Sequence, residues 1–498
     1  MSSPSTTRTY TDALNLLNTL IPNLKVHALF GKPRTPSPKM PPETPASDPN
    51  RLALPRCAPG SSAPPWPPTP LFPLLHPHRR HQRQRLRHDP HNLRPPRLAP
   101  VRPRGDLHLP HLVTPRERIA VDGRPVSQDL FAASFFELWD LLSAAPADEA
   151  LGIEAGSKPF YFRFLTLLAL HIFLKQKVRS VVMECGIGGE YDATNAIPPA
   201  AVTTGVITQL GIDHVAMLGD TAEKIAWHKA GIMKPGVTTF TRRLDGQPGV
   251  MEVLRTRARE IGADLVEVAD EEVTARARRE AAWRDFQKRN QALAALAARR
   301  HVQVLEGRET ETKEHRLRDV SETIIAGLRE ATLRGRHEVM ERDNVSWHLD
   351  GAHNTDSLAE VARWMAPVVA DSGTKFVLVF NQQERDASEL LLGLLKEMDA
   401  AGVDLESRLD SVIFTRNDKT KIAEDVDVAV QEKCAAAFKE AYPAAHALVC
   451  KDLTEMKSAV DAIAAAQNTT RPGARVLVTG SMYLVGNVIG LLEPEGLL

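Results

Sequence analysis

The chain has 498 residues, a length that predicts two or three domains. Its 62 lysines and arginines balance 62 aspartates and glutamates. Its four cysteines show no paired spacing, which argues against a disulfide scaffold and a structural zinc site. The most apolar run, 162–174, is too short for a membrane span and is interrupted by Arg163 and His171, so no membrane partner is expected.

Residues 1–33 form the first predicted segment, in which 9–31 are predicted to form an amphipathic helix. Leu14, Leu17 and Leu20 fall on one face of that helix. The N-terminus lacks a charged segment followed by an apolar one, and Arg8 alone makes a poor transit signal. We therefore expect a cytoplasmic protein, with a mitochondrial form left open.

Residues 34–109 have a different composition from the rest. Of the 36 prolines, 22 lie between Pro33 and Pro110, and the segment carries 13 lysines and arginines against 4 acidic residues. Such proline density prevents helices and interior strands, so a disordered linker is predicted. The alternative is a basic nucleic-acid-binding arm around 76–88. Few aromatic residues and no recognition module accompany it, so we predict no nucleic-acid partner.

Residues 110–307 are predicted to form an α/β domain with a mostly parallel sheet. Apolar patterns indicate helices at 127–142 and 160–174. A further helix is expected at 251–261, followed by a strand at 264–268 and a buried helix at 292–298.

Two apolar runs inside this domain each lead to a polar side chain. Ser180–Met183 ends at Glu184, before the glycine-rich turn 186–189, and Val202–Leu210 leads to His214. Ligands of parallel α/β sheets bind beyond the carboxyl ends of the strands, so Glu184 and His214 are expected in one crevice.

A helix that carries Lys229 follows His214. Asp220 or Thr221 is its expected N-cap, and Gly231 is its expected end. Each residue also has a structural interpretation: a carboxylate at a strand end commonly caps the next helix, and a histidine in a turn is commonly a surface residue. The spacing by itself names no reaction.

Residues 308–330 are charged and lack periodicity, which predicts an interdomain linker. In the second domain, 331–498, strands and helices alternate, which is typical of a parallel, Rossmann-like sheet. The predicted strands are 346–350, 375–380, 410–415, 445–450 and 475–479, and the predicted helices are 357–366, 387–398, 427–440 and 454–466.

Asp350 closes the first strand of the second domain, and 351–354 turn into a helix. Taken alone, Asp350 is a candidate N-cap for that helix.

Several segments together resemble the folylpolyglutamate synthase family of Mur-ligase-like enzymes. The central ones are ECGIGGEYDATN (184–195) and LGIDHVAMLGDTAEKIAWHKAGIMKPGV (210–237). Others are PHLVTPRERIAVDGRPVS (110–127), SKPFYFRFLTLLALHIFL (157–174), DFQKRNQALAALA (285–297), WHLDGAHNTDSLAEV (347–361), FNQQERD (380–386) and VLVTGSMYLVG (476–486). They lie in the family's order and cover most of 110–498.

The resemblance implies an ATP-dependent ligase that adds L-glutamate to the γ-carboxylate of a reduced folate through an acyl phosphate. It implies that Glu184 and His214 are ligands of Mg²⁺, with a monovalent cation left open. Because Mg²⁺ prefers oxygen donors, the histidine would also allow Mn²⁺. It implies that Lys229 is carbamylated and lies near the metal. It places Arg336 and Asp350 on ATP, reaching across from the second domain, with the catalytic candidate His353 beside them. The expected partners are ATP, reduced folates and L-glutamate, and a monomer is expected.

The family carries a phosphate-binding loop of the type GTKGKGS, which this chain lacks. Codons for 76–86 can be written so that a shifted frame reads Ile-His-Ile, one alanine and then Gly-Thr-Lys-Gly-Lys-Gly-Ser, and Leu109 can then give serine. We therefore hypothesise that residues near 34–109 are an out-of-frame translation. Because arginine side chains provide charge but no nest of amides, the chain as written is predicted to bind ATP poorly.

Two alternatives to a polyglutamylating ligase remain at this point. One is a pseudoenzyme without the loop, which binds folate or a partner without turnover. The other is dihydrofolate synthase, which adds the first glutamate.

Overall fold

The computed structural model describes residues 8–21, 103–149, 153–208, 210–212, 214–269, 285–308, 315–331, 333–370, 375–383, 386–419, 426–466 and 473–494. The hypotheses about 34–102 therefore lie outside the described residues. The chain divides into two compact units. Unit 1 comprises Met1–Leu109 and Arg118–Ala331, and unit 2 comprises Pro110–Glu117 and Thr332–Leu498.

Unit 1 contains two sheets flanked by helices. Its strands are β1 (Arg104–Leu107), β2 (Ile119–Val121), β3 (Arg124–Pro125), β4 (Ser180–Met183), β5 (Gly205–Ile207), β6 (Thr238–Arg242) and β7 (Asp264–Val268). Its helices are α1 (Tyr10–Thr19), α2 (Gln128–Ser143), α3 (Tyr161–Lys175), α4 (Val215–Leu218), α5 (Ala222–Ala230), α6 (Pro248–Ile261), α7 (Asp285–Leu305) and α8 (Glu322–Glu330).

The first sheet of unit 1 has the order β3-β2-β1-β4, and β1 pairs in parallel with β4. Helices α1, α2 and α3 pack with it around a core rich in phenylalanine, which includes Phe131, Phe135 and Phe164. Helices α2 and α3 begin where the sequence predicts. Ser127 caps α2 through its hydroxyl, and Phe160 directly precedes α3.

The second sheet of unit 1 has the order β5-β6-β7 and is parallel. On α7, His301 links the two sheets. Its Nε2 lies 2.8 Å from Ser180 Oγ at the start of β4, and its Nδ1 lies 2.8 Å from Thr203 Oγ1 just before β5. Since a neutral imidazole donates through one nitrogen and accepts through the other, one side chain satisfies both hydroxyls.

The structure moves the predicted boundary at residue 109. Strand β1 lies inside the segment predicted to be disordered or mistranslated, and Leu107 in it is 1% exposed. A Cβ at Gly105 would lie 2.7 Å from the Phe173 ring, so glycine lets α3 approach the strand closely. Residues 104–109 therefore belong to unit 1.

The predicted linker 308–330 also differs from the structure. Leu317, Val320 and Ile325 are buried in one cluster with Phe240, and α8 occupies its second half. The high charge of the segment concealed apolar residues three to five positions apart, and that spacing lets one face of the segment pack on unit 1.

Unit 2 is built on one six-stranded sheet of order β12-β11-β10-β13-β9-β8. Its strands are β8 (Glu338–Arg342), β9 (Val345–Leu349), β10 (Lys375–Phe380), β11 (Leu409–Thr415), β12 (His446–Cys450) and β13 (Ala474–Thr479). Its helices are α9 (Thr355–Ala370), α10 (Ala387–Ala400), α11 (Leu405–Arg408), α12 (Ala429–Ala441), α13 (Leu453–Ala465) and α14 (Met482–Leu492).

The parallel α/β layout expected for the second domain is confirmed. Strands β9, β10, β11, β12 and β13 all pair in parallel with their neighbours among these five. The sequence did not predict β8, which pairs antiparallel with β9. Asp343 and Asn344 join the two strands with φ of 52° and 61°, as a two-residue type I′ hairpin requires. Two apolar cores lie against the sheet. Helices α9, α10 and α12 contribute to one core, and helices α13 and α14 contribute to the other.

No helix among the described residues combines the length and apolarity needed to cross a membrane.

Candidate active site

Glu184 directly follows β4, as predicted. Its backbone amide donates to the Leu107 carbonyl at 2.9 Å, which continues the β1–β4 ladder by one residue. Its carboxylate Oε2 accepts from the Leu109 amide at 2.8 Å, and the side chain is exposed. The carboxylate is therefore held at the end of the strand by the chain that leaves β1.

The turn after Glu184 is organised by Asp192, which the sequence reasoning did not single out. Its Oδ2 accepts from the amides of Gly186 and Ile187 at 2.9 and 3.1 Å, and its Oδ1 accepts from the Thr194 amide at 3.0 Å. Asp192 is 6% exposed. An aspartate two residues before a threonine was a local signal for such a turn.

Gly188 and Gly189 allow two helices to approach this turn. A Cβ at Gly188 would lie 2.8 Å from Leu218 at the end of α4, and φ there is +71°. A Cβ at Gly189 would lie 2.8 Å from the His228 carbonyl oxygen and 3.0 Å from that of Lys229 on α5. The turn beyond Glu184, the helix after His214 and the helix of Lys229 thus pack on one another.

A second layer of contacts holds α5 in place. The Glu190 amide donates to the His228 carbonyl at 2.8 Å, and the Asn195 side chain donates to the Gly231 carbonyl at 2.9 Å. Lys234 Nζ in turn donates to the Asn195 carbonyl at 2.8 Å. Burial lowers the pKa of Lys234. These residues fix the end of the helix on which Lys229 lies half-buried.

Arg257 connects α6 to the same turn. Its guanidinium lies 2.6 Å from Glu190 Oε2 and stacks over the Trp227 ring at 4.6 Å from the centroid. The Arg257 side chain is only 15% exposed. A planar guanidinium that meets a carboxylate and an aromatic face together is hard to replace by lysine.

His214 lies in an unusual backbone conformation, with φ 51° and ψ 40°, and begins α4. It is exposed. Of the two predicted N-caps, Thr221 rather than Asp220 caps α5, through a hydroxyl that accepts from the Lys224 amide at 3.3 Å. The helix ends at Gly231, also as predicted.

Glu184 and His214 are the predicted metal ligands of unit 1. Within the described part of the chain, no group of three or more His, Cys, Asp or Glu is arranged to hold a metal. Mg²⁺ is commonly bound through one or two protein ligands, with water and substrate phosphate completing the octahedron. Glu184 and His214 lie at ends of elements that pack on one turn.

Cys185 lies next to Glu184 and is a free, partly buried thiol. Burial, and secondly the charge of Asp192, raise the pKa of Cys185 to about 11. The Thr194 hydroxyl also contacts its sulfur at 3.2 Å. Because the thiolate is the nucleophilic form, this cysteine is not suited to covalent catalysis at neutral pH.

In unit 2 Asp350 follows β9 and is 6% exposed. Its Oδ2 accepts from the His337 amide at 2.9 Å, and its Oδ1 accepts from the Ala352 amide at 2.9 Å. Burial raises the pKa of Asp350, against the opposing effects of the His337 amide, the Arg336 charge and the His353 charge. The three predicted residues Arg336, Asp350 and His353 are therefore neighbours.

Asp350 is not the N-cap of α9, which was its structural interpretation from the sequence. Asn354 fills that position, since its Oδ1 accepts from the Ser357 amide at 2.9 Å at the start of α9. His353 Nδ1 lies 3.3 Å from the Gly351 carbonyl oxygen. The carboxylate of Asp350 instead ties the 336–337 turn to the turn after β9.

Polar side chains at neighbouring strand ends were not predicted individually. Gln382, just after β10, donates to the Gly480 carbonyl at 3.0 Å beyond β13. Asn381 accepts from Gln431 at 2.8 Å and donates to Asn417 at 2.8 Å. Their only sequence signal was the block FNQQERD, and buried amides of this kind fix the loops that follow parallel strands.

Comparison with known proteins gives consistent results. Residues 334–491 match the family model described as dihydrofolate synthetase, C-terminal domain. Over 407 residues the chain is 38% identical to folylpolyglutamate synthase of Neurospora crassa, covering 77% of this chain and 74% of that protein. It is 39% identical over 310 residues to folylpolyglutamate synthase of Saccharomyces cerevisiae, covering 62% of this chain and 55% of the yeast protein.

Solved structures show the same fold. Folylpolyglutamate synthase of Mycobacterium tuberculosis complexed with ADP is 25% identical, with a TM-score of 0.56 over 79% of this chain and 84% of that chain. The bifunctional folylpolyglutamate synthase/dihydrofolate synthase of Yersinia pestis, complexed with AMPPNP and Mn ion, is 21% identical, with a TM-score of 0.51 over 78% of this chain and 82% of that chain. The two-domain Mur-ligase-like α/β fold expected from the sequence is thereby confirmed. Together with the Neurospora match, these findings show that the chain belongs to the folylpolyglutamate synthase family.

Proposed function

We propose that this chain is an ATP-dependent ligase that adds L-glutamate to the γ-carboxylate of a (tetrahydro)folyl-glutamate through an acyl phosphate. The observation that carries this function is the 38% identity to the Neurospora synthase over 77% of the chain.

A carboxylate is a poor electrophile, so phosphoryl transfer from ATP must precede attack by the amine of glutamate. Both steps build negative charge, which the site must stabilise in place. Glu184 and His214 would hold a divalent cation, which supplies positive charge to the phosphates when bound. Glu184 suits this role because, in the chain as printed, the backbone amide of Leu109 orients its carboxylate, and a serine at this position would keep that amide.

Lys229 is proposed to act as a carbamate, which turns a cation into an oxygen ligand beside the metal. The structure supports this through position: Lys229 lies half-buried on α5, which packs on the turn that follows Glu184. A free ammonium group beside a divalent cation would repel it, whereas a carbamate would not.

In unit 2, Arg336 and Asp350 are proposed to bind ATP, and His353 to lie beside them. Asp350 offers a buried carboxylate with fixed orientation, which suits recognition of a hydroxyl or amino group. Arg336 offers a charge suited to phosphate.

ATP with a divalent metal is the cofactor set that the family supports, since one related structure holds AMPPNP and Mn ion. Mg²⁺ as the physiological metal, with a monovalent cation as an additional ligand, is our finer proposal. L-Glutamate as the incoming amine, a monomeric state, a cytoplasmic location and the absence of membrane binding are also proposals.

The phosphate-binding loop requires a separate proposal, because the chain as written has no GTKGKGS-type sequence. We propose that 34–109 departs from the reading frame of the active enzyme and that frame restoration brings back the loop. The mature transcript across codons 30–112 tests this. A transcript that encodes the sequence as printed would refute the frame proposal and favour the pseudoenzyme.

The activity test uses tetrahydrofolyl-glutamate, radiolabelled L-glutamate and MgATP with the frame-restored full chain. We expect labelled product of one added glutamate and stoichiometric ADP. Dihydropteroate as acceptor separates the dihydrofolate synthase reaction. No product from either acceptor, with the chain folded, would refute a ligase function.

A further inference from the structure

His337 is held in a strained backbone conformation next to the proposed nucleotide-binding carboxylate. Its φ is +46°, in the left-handed region that residues other than glycine rarely occupy. Such conformations persist where surrounding contacts over-determine them, and they concentrate at functional sites. The residue lies between Arg336 and β8, a position that the sequence analysis did not single out.

In this conformation the backbone amide and the imidazole of His337 both lie near the same oxygen of Asp350. The His337 amide donates to Asp350 Oδ2 at 2.9 Å, and the His337 Nε2 lies 3.5 Å from the same oxygen. The second distance is longer than that of a short hydrogen bond. Both side chains are nearly buried, at 10% and 8% exposure, so solvent screens the pair little.

The imidazole ring of His337 packs against Trp364 on α9, which holds the ring in place. The two rings stack with centroids 4.5 Å apart and planes 21° apart. Trp364 is 8% exposed, and the buried ring of His348 lies against it at 5.5 Å. The His337 ring therefore has few alternative rotamers, so little side-chain entropy is lost when it faces Asp350.

Asp350 needs such support if it is to bind a ligand as a carboxylate. Burial favours its neutral form, and the groups that oppose this are the amides of His337 and Ala352 and the charges of Arg336 and His353. Glu338, which follows His337, is engaged by the Gly335 amide at 2.7 Å and by Arg334, so its charge is already compensated.

We propose that His337 is a positioning residue for Asp350: its ring, stacked on Trp364, and its backbone amide together hold the carboxylate in a fixed orientation. The role toward ATP rests on the proposed function, whereas the effect on Asp350 does not. A lysine would not serve equally, because its ammonium group does not stack as a ring on Trp364 while presenting an N–H at this distance.

The test measures the pKa of Asp350 in the full chain labelled with ¹³C-aspartate, with the carboxyl resonance assigned from Asp350→Asn. His337→Phe keeps the stack on Trp364 and removes the N–H. His337→Gln keeps a side-chain N–H near the Nε2 position. His337→Gly removes the ring and relieves the positive φ, so it separates backbone strain from the effect of the ring.

We expect the Phe and Gly variants to raise the pKa of Asp350 by about one unit, which is about tenfold in proton affinity. The Gln variant should stay close to the parent chain. An unchanged Asp350 pKa in the Phe variant, or equal shifts in the Phe and Gln variants, would overturn the proposal.

A second experiment titrates MgATP into the frame-restored full chain and into the same His337 variants made in that chain. We expect the Phe variant to bind about tenfold more weakly than the parent, and the Gln variant to recover most of the affinity. A parent chain that binds no MgATP would refute the proposed ATP role of Asp350. The carboxyl titration would still decide the effect of His337.

Discussion

Lys229 differs from the other polar residues of the site because its proposed role requires a chemical modification. Its helix is fixed by backbone contacts of Glu190 and Gly189, so a substitution of the side chain alone should leave the helix in place. Function and fold can therefore be separated at this position.

Lys229→Met should reduce ligase activity of the frame-restored chain by about 10- to 100-fold, since a group that supports a metal ligand set is lost. Added acetate should restore part of the activity by replacing the carbamate oxygens. The measurement is initial rate against acetate concentration. The control is Lys224→Met on the same helix, where an exposed pair with Asp220 is lost and little change is expected. Full activity of Lys229→Met would refute the carbamate role.

Cys185 provides a test of the electrostatics around Glu184. With the pKa of Cys185 at about 11, its thiolate fraction at pH 8 should be about 100-fold below that of an ordinary thiol, and alkylation should be slower in proportion. Peptide mass spectrometry after timed iodoacetamide treatment measures the rate at this residue. Rapid labelling of Cys185 in the folded chain would contradict the raised pKa of its thiol.

The sign of the linked stability effect follows from the raised pKa. Between the ordinary thiol pKa and about 11, the unfolded chain loses its Cys185 proton before the folded chain does. The folded state therefore loses stability as pH rises through this window. Cys185→Ala, which has no titrating thiol, should show a smaller loss in urea unfolding over the same range.

At the scale of elements, the turn 186–190 and helices α4 and α5 form the part of unit 1 that positions three of the proposed site residues. The helix carbonyls of His228 and Lys229 approach Gly189 so closely that no side chain fits. This close approach is a packing requirement rather than a catalytic one.

Gly189→Ala should therefore destabilise unit 1 by about 1–3 kcal/mol and reduce activity, because the added methyl group displaces the end of α5. Urea unfolding followed by circular dichroism measures the change. Gly246→Ala is the matched control, since a Cβ there meets nothing within 4 Å, and its effect should stay within about 0.5 kcal/mol. Equal stability of the two variants would show that the turn and α5 are not in contact.

At the scale of the whole molecule, the main question is whether the printed chain can hold ATP. The residues proposed to bind the nucleotide in unit 2 are present, whereas the phosphate loop is not. A carboxylate and one arginine without a nest of amides should bind triphosphate weakly.

We therefore expect MgATP to leave the thermal midpoint of the printed chain unchanged and to raise that of the frame-restored chain. A ligand at about 100 times its dissociation constant contributes about 2.7 kcal/mol to the folded state. Differential scanning fluorimetry with and without MgATP measures both proteins. A clear upward shift for the printed chain would contradict the predicted need for the loop.

The amino-acid sequence determined the fold class and most of unit 2. Strands such as β10 and β13 are continuous apolar runs because parallel strands are buried on both faces, and the observed strand Lys375–Phe380 has the predicted bounds. The acid that ends β4 and the helix from Thr221 to Gly231 were likewise predicted from local patterns and capping. Local chemistry is sufficient for such features.

Only the tertiary structure decided the contacts that join residues far apart in the chain. His301 bonds Ser180 and Thr203, and His337 meets Trp364 and Asp350, although no spacing in the sequence links them. The apolar residues of the predicted linker were likewise assigned to unit 1 by a core whose other members lie elsewhere in sequence. Periodicity reports which face of an element is buried, but the partner on that face depends on how all the elements pack together.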